Sequence, residues 1–154
     1  MTRTLRAIFV SALALYTIFV LAITLWPQRI DKPIDHQLRT AINTAHDNGA
    51  PRNLGYSLIQ NVSNGGLFLP LGFLLAVVLV SKRWWISPLA CAVLSIGIEL
   101  CQHFFLPNRL GTVTDVVSNT VGALLGALIA LAAKHLASRW SSRNASRASA
   151  SLQS

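Results

Sequence analysis

Long apolar stretches alternate with short polar ones along the chain. The apolar stretches cover approximately residues 7–26, 62–80, 88–106 and 115–134. A helix that crosses a bilayer needs about 20 predominantly apolar residues, and each stretch is close to that length. The pattern therefore predicts an all-α membrane protein whose core is a bundle of four transmembrane helices.

The linker between the first two predicted spans, residues 27–60, is too long for a tight turn. Within it the apolar residues Ile34, Leu38, Ile42 and Ala45 recur at helical spacing, with polar residues on the other faces. This spacing predicts a short amphipathic helix on the outer membrane surface, between spans 1 and 2. We interpret it as a solvated surface helix without a ligand role.

The first apolar stretch follows a basic start, as the apolar region of a secretory signal peptide does. It is longer than that region usually is, and no clear small-residue cleavage site follows it. The sequence therefore predicts a retained first span that ends near Trp26 and Pro27. A cleaved signal peptide is the alternative.

The charged residues make up 12% of the sequence and lie between the spans. A soluble domain carries roughly 25%, so the composition excludes a typical soluble protein. A net charge of +8 would suggest nucleic acid as the partner of a soluble protein, but here Lys and Arg flank the spans and indicate topology instead. We therefore predict cytoplasmic termini and expect no nucleic-acid partner. The basic clusters that would share the cytoplasmic side are Arg3 and Arg6, then Lys82 and Arg83, then Lys134, Arg139, Arg143 and Arg147.

After Lys134 the sequence becomes rich in Ser, Arg and Ala. Such a segment cannot bury much apolar surface, so we predict a basic, disordered cytoplasmic tail over residues 135–154. Residues 1–134 then form the four-helix membrane domain.

Polar residues interrupt the spans near one end of the predicted bundle. A charged side chain within a span is expensive and by default indicates a functional site. Because successive spans run in opposite directions, all these groups lie at the outer membrane face, and the loop between spans 3 and 4 places an arginine within reach of either carboxylate. The candidate ligand-binding residues are Asn64 in span 2, Glu99 and Gln102 in span 3, Arg109 in the loop, and Asp115 and Asn119 in span 4.

Capping and small residues indicate how the spans begin and pack. Ser87 predicts the cap of span 3 and Thr114 the cap of span 4. Pro70 predicts a kink within span 2. Gly122 and Gly126 form a small-residue face suited to close packing against a neighbouring span, and the same face could hold a second copy of the chain.

The order and spacing of these residues across spans 2 to 4, about residues 61–130, are specific when taken together. They read Asn64-x-x-x-Phe68-x-Pro70-x-Gly72, then Glu99-x-x-Gln102, Arg109, and Asp115-x-x-x-Asn119-x-x-Gly122-x-x-x-Gly126. In this the chain resembles the VanZ-like family of small bacterial integral membrane proteins, whereas Asn61, Ser95 and His103 lie outside the resemblance. The resemblance implies a place in the bacterial cytoplasmic membrane. Since one member confers resistance to teicoplanin, it also implies a link to glycopeptide antibiotics, but it supplies no established reaction.

Three functions are open for the polar cluster. It could bind the polar head group of a lipid-linked cell-envelope component at the outer leaflet, with Arg109 holding a phosphate or carboxylate and the amide side chains bonding to sugar or amide groups. It could instead be an enzyme site, in which Glu99 acts as general acid or base beside an ionised Asp115 during hydrolysis or transfer on a lipid-linked substrate. Or the polar residues could only brace the helices. No cofactor is expected, and no pair of His or Cys has zinc-site spacing, so no metal is expected.

Overall fold

The computed structural model describes residues 2–26, 40, 42–44, 47–49, 55–79, 81–106 and 112–151. Most of these residues lie in α1 (Arg3–Thr24), α2 (Tyr56–Val78), α3 (Ile86–Phe105) and α4 (Val113–Ser151), with a short 3-10 turn at Ser81–Arg83 between α2 and α3. Each of the four helices contains a segment long and apolar enough to cross a membrane. The predicted all-α fold with four spans is confirmed, and the chain is a multi-pass membrane protein.

The predicted amphipathic helix between the first two spans lies mostly outside the described residues. Of the four apolar residues that define it, Ile34, Leu38, Ile42 and Ala45, the structure describes Ile42 alone. This helix therefore stays a prediction.

The helices alternate in direction, so the bundle has two different ends. We call the end where α1 and α3 finish the site end, and the opposite end the basic end. At the site end, the Gln102 side chain near the C-terminus of α3 donates to the Thr24 carbonyl at the C-terminus of α1 (Nε2 to O, 2.8 Å). At the basic end, the Lys134 ammonium of α4 donates to the carbonyls of Ala76 (2.7 Å) and Leu79 (2.6 Å). The last carbonyls of a helix lack amide partners, so Lys134 caps α2.

Helices α2 and α4 are in direct backbone contact through glycines. A Cβ atom on Gly122 of α4 would overlap the backbone carbonyl of Gly65. A Cβ atom on Gly126 would overlap the carbonyl of Leu69, and Gly72 of α2 is equally close to α4. The predicted packing role of Gly122 and Gly126 is confirmed, and the neighbouring span is α2. This face is covered by the same chain, so a second copy could occupy it only by displacing α2.

Away from its buried polar residues the interior of the bundle is apolar, and all four helices contribute to it. Its buried cluster consists of Val20, Phe68, Leu71, Cys91, Ile98 and Ala123. Many other large apolar side chains of the spans are exposed on the protein surface, as expected where lipid rather than water surrounds a helix.

Helix α1 packs against α2 beside a proline. Pro70 lies inside α2, and because it has no amide hydrogen it removes the usual partner of the Gly66 carbonyl. One residue along, the Tyr16 hydroxyl of α1 donates to the Leu67 carbonyl at 3.0 Å. Tyr16 therefore joins α1 to α2 at the carbonyl next to the one that Pro70 leaves without its helical donor.

The start of α3 differs from the prediction. The helix begins at Ile86, and Ser87 makes no cap hydrogen bond. Its fully buried hydroxyl instead donates to the Gly72 carbonyl of α2 at 2.7 Å. A buried hydroxyl requires an acceptor, and the nearby helix provides one. The predicted cap is therefore wrong, and Ser87 joins α3 to α2.

The end of α4 also differs from the prediction. The helix continues through the predicted end of span 4 to Ser151, so the structure has a helix where the sequence predicts a disordered tail. Alanine and arginine are good helix formers, and the segment extends a helix that already exists, so no new helical nucleus has to form.

Candidate functional site

The polar side chains of α3 and α4 form two layers near the site end. Glu99 of α3 and Asp115 of α4 make the first layer, and the Asp115 carboxylate is near enough to act electrostatically on Glu99. One helical turn deeper, Asn119 of α4 donates through Nδ2 to the hydroxyl oxygen of Ser95 on α3 at 2.9 Å. We call these four residues the α3–α4 polar cluster. Ser95 and Asn119 are both buried, Asn119 being 5% exposed.

Both oxygens of the Asp115 carboxylate are engaged within the chain. Oδ1 accepts from Nδ2 of Asn64 on α2 at 2.6 Å. Oδ2 accepts from the Thr112 hydroxyl at 2.9 Å and from the Thr112 backbone amide at 3.3 Å. Because Asp115 is only 7% exposed, these bonds replace those that water would otherwise make.

Thr112 and Asp115 form a reciprocal cap at the N-terminus of α4. The Thr112 hydroxyl accepts from the Asp115 backbone amide at 3.2 Å, while the Asp115 side chain reaches back to Thr112. This is the arrangement of a capping box, with aspartate in the third helical position. Thr114 is exposed and lies within the first turn, so the predicted cap at Thr114 is wrong.

Gln102 is separate from the α3–α4 polar cluster. It is buried, and its Nε2 is bonded to the Thr24 carbonyl of α1. Its neighbour His103 is exposed and packs edge-to-face on Phe104, with ring centroids 5.4 Å apart. Gln102 therefore ties α1 to α3, although the sequence placed it among the ligand-binding candidates.

Two buried oxygens at the α3–α4 interface have no hydrogen-bond partner in the described part of the chain. They are Oε2 of Glu99 and Oδ1 of Asn119. A buried polar atom without a partner costs about 1–3 kcal/mol, and native proteins contain few of them. A bound molecule that donated hydrogen bonds to these two atoms would remove this cost.

The structure thus assembles part of the predicted site. It brings Asn64, Glu99, Asp115 and Asn119 together, and it directs Gln102 elsewhere. Arg109 lies outside the described residues.

Two residues of the site were absent from the predicted set, Ser95 and Thr112. Ser95 lies one helical turn before Glu99, so helical spacing already places both on one face. Thr112-x-x-Asp115 is a capping-box pattern that precedes an apolar run. Both signals were therefore present in the sequence.

The site has few groups suited to a metal ion. Within the described residues there is no group of three or more His, Cys, Asp and Glu side chains that could hold one. The fully buried side-chain atoms without a partner in the described part of the chain are one carboxylate oxygen and one amide oxygen. Their chemistry suits hydrogen bonding to a polar organic group.

A scan against protein-family models matches residues 13–134 to the VanZ/LLP1 family. That range contains all the candidate residues and most of the four spans. No curated protein and no solved structure matches the chain.

Proposed function

This chain belongs to the VanZ/LLP1 family, and from that premise we propose that it binds the polar head group of a lipid-linked cell-envelope component at the outer leaflet. The observation that carries the proposal is the pair of unpartnered buried oxygens, Glu99 Oε2 and Asn119 Oδ1. Both lie between α3 and α4 near the site end, and a bound head group would give each a partner.

The groups around these two oxygens support a binding role. Asp115 is held by Asn64 and Thr112, and the Asn119 amide nitrogen is held by Ser95. These hydrogen bonds within the chain orient Asp115 and Asn119. A preformed arrangement of this kind lowers the conformational cost of binding.

The depth of the site fits a head group. Asp115 lies in the first turn of α4, and Glu99 lies six residues, about 9 Å, before the end of α3. Both are near one end of their spans, where lipid head groups begin. Placing this end at the outer leaflet is part of the proposal and follows from the Lys and Arg residues at the opposite end.

Two further elements of the proposal come from the sequence. Arg109 would hold a phosphate or carboxylate of the ligand through its planar guanidinium group. If the ligand is a cell-wall precursor or a related lipid, the protein would also alter susceptibility to glycopeptide antibiotics such as teicoplanin. The inhibitory concentration of teicoplanin in cells with and without the intact gene would measure that effect.

Native mass spectrometry of protein extracted gently from its own membranes tests the binding proposal. We expect the wild type to carry a specific lipid or lipid-linked sugar that Glu99→Ala loses without any fall in thermal stability, because Glu99 Oε2 has no partner to lose. Gln102→Ala is the matched control on the same helix. It removes the bond to Thr24, so it should lower the melting temperature while the folded fraction keeps its ligand. Arg109→Ala in the same assay tests the phosphate contact.

The opposite pattern would support the structural alternative. If the wild type carried no specific ligand and Glu99→Ala unfolded at a lower temperature, the polar cluster would be a brace between helices. Asp115, Asn64 and Gln102 already have contacts of that kind.

A second candidate function, catalysis, is favoured by the unlike surroundings of the two carboxylates. Asp115 accepts three hydrogen bonds within the chain, whereas Glu99 keeps one buried oxygen without a partner. Glu99 could then take a proton from an attacking water or hydroxyl and return it to the leaving oxygen of a lipid-linked substrate. Once the ligand is identified, turnover by the wild type and none by a Glu99→Gln variant that still binds would establish this function. Full activity of that variant would exclude it.

A further inference from the structure

The atoms left free in the α3–α4 polar cluster are both of one hydrogen-bonding type. Glu99 Oε2 and Asn119 Oδ1 are acceptors. Three donor groups at the cluster are already used, since Asn119 Nδ2 bonds to the Ser95 oxygen, and Asn64 Nδ2 and the Thr112 hydroxyl bond to Asp115. A ligand that completes the cluster must therefore bring hydrogen-bond donors.

The charge of the cluster also favours a ligand that carries hydrogen-bond donors. Two carboxylates lie within electrostatic reach of each other, and the groups that hold Asp115 in the described structure are neutral amides and a hydroxyl. A positive charge beside the pair would offset the repulsion between the two carboxylates. The unpartnered amide oxygen belongs to Asn119, which is 95% buried and one turn below the carboxylates, so the acidic pair is not the sole feature of the site.

From these observations we propose that the α3–α4 polar cluster binds a primary ammonium group, the amine of an aminated lipid head group. The inference rests on the proposed head-group function and names the chemical class of its ligand. An ammonium group has three N–H donors and a full positive charge. It therefore has enough donors to give Glu99 Oε2 and Asn119 Oδ1 one partner each, and its charge would offset that of the carboxylates.

Other donors match the cluster less well. A hydroxyl group has one hydrogen to donate, so it would leave one of the two oxygens unpaired and the carboxylate charge unbalanced. A quaternary ammonium group carries the charge but has no N–H donor. A divalent metal ion prefers more oxygen ligands than the described residues supply here.

Three phospholipids with identical acyl chains distinguish a primary ammonium, a quaternary ammonium and a hydroxyl ligand. Their binding would be measured with the purified full chain in neutral detergent. Phosphatidylethanolamine presents a primary ammonium, phosphatidylcholine a quaternary one, and phosphatidylglycerol hydroxyl groups alone. We expect the wild type to bind phosphatidylethanolamine at least about tenfold more tightly than the other two, the minimum expected of charge-assisted hydrogen bonds in a partly buried site. Native mass spectrometry at a series of lipid concentrations gives the three affinities.

The Glu99→Gln variant tests the residue that carries the inference. It keeps the size of the side chain and removes its charge, so we expect the preference for phosphatidylethanolamine to fall to about twofold or less. Asp47→Asn is the matched control. Asp47 is exposed and lies outside the spans, and its substitution changes the net charge by the same amount. This control should keep the full preference.

Several outcomes would overturn the inference. Equal binding of phosphatidylcholine would show that N–H donors are not used, and tighter binding of phosphatidylglycerol would show that a cation is not required. An undiminished preference in Glu99→Gln would show that a neutral side chain suffices.

The test of the proposed head-group function is separate from the test of the ammonium preference. If lipid from the native membrane remains bound to the wild type and is lost from Glu99→Ala, the head-group site stands even where the ammonium preference fails. Soluble ethanolamine, added as a competitor, distinguishes the source of the ammonium group. Displacement of phosphatidylethanolamine by millimolar ethanolamine would mean that the site recognises a free amine, and no displacement would mean that it requires the lipid.

Discussion

The polar side chains at the site end differ in whether their hydrogen-bonding atoms are satisfied within the chain. Asp115 has a partner for both oxygens, and Gln102 and Asn64 have partners for their amide nitrogens. Glu99 and Asn119 each keep one buried oxygen free. The bonded atoms stabilise the bundle, and the two free oxygens are the atoms that we propose a ligand contacts. Substitutions in the two groups should therefore have different consequences.

Thr112 and Thr114 provide a direct test of the cap at the residue scale. Thr112→Ala removes the hydroxyl that bonds to both the amide and the carboxylate of Asp115, so we expect it to lower the free energy of unfolding by about 1 kcal/mol. Thr114 is exposed and lies two residues away. Thr114→Ala should therefore change the free energy of unfolding by less than about 0.5 kcal/mol. Unfolding in detergent with increasing temperature or denaturant measures both. Equal losses from the two variants would contradict the assignment of Thr112 as the cap.

The polar residues of the site could be predicted from the sequence, but not all of their hydrogen-bond partners could. Asn64, Glu99, Asp115 and Asn119 could be predicted to meet because polar groups in alternating spans fall at one depth. The role of Gln102 could not, because a buried amide takes whichever carbonyl the packing brings near, and here that is Thr24 of α1. The choice between Thr112 and Thr114 depended on where α4 begins, and helix ends are the least certain part of an apolar pattern.

At the scale of elements, the main contact of the bundle is between α2 and α4. Small residues allow two helices to approach until their backbones touch, and this close packing drives helix association in a membrane. The sequence predicted the small-residue face of α4, but a run of small residues does not identify its partner. The structure identifies that partner as α2.

A pair of glycines on α4 and α2 tests this contact. A methyl group on Gly122 would overlap the carbonyl of Gly65, so Gly122→Ala should destabilise the fold by about 1–3 kcal/mol despite the better helix propensity of alanine. Gly66→Ala is the control, since a Cβ atom there has no heavy atom within 4 Å, and we expect it to be neutral or stabilising. Thermal unfolding in one detergent compares them. If Gly122→Ala were as stable as the wild type, direct contact between the two backbones would be wrong.

At the scale of the whole molecule, the two ends of the bundle have different chemistry. The site end carries the α3–α4 polar cluster, while the basic end carries Lys82, Arg83 and the capping residue Lys134. Basic residues are enriched on the cytoplasmic side of membrane proteins, so we predict that the site end faces outward and both termini face the cytoplasm.

Cysteine labelling of intact cells measures this orientation. In a variant with Cys91 and Cys101 both replaced by alanine, single cysteines would be introduced as Val113→Cys at the site end and Lys82→Cys at the basic end, both at exposed positions. We expect a membrane-impermeant maleimide to react with the first in intact cells and with the second only after the cells are permeabilised. The reverse pattern would place the polar cluster at the cytoplasmic face and would contradict the outer-leaflet proposal.

The glycine contact between α2 and α4 also determines which helices are free to move. Where backbones touch, neither helix can rotate or slide without a collision, so α2 and α4 behave as one rigid body. Helix α3 is joined to α4 across the polar cluster by side chains, which can change rotamer. Of the two helices beside the polar cluster, α3 is therefore the one that a ligand would displace, and the bond from Gln102 to the Thr24 carbonyl would limit how far its last turn can move.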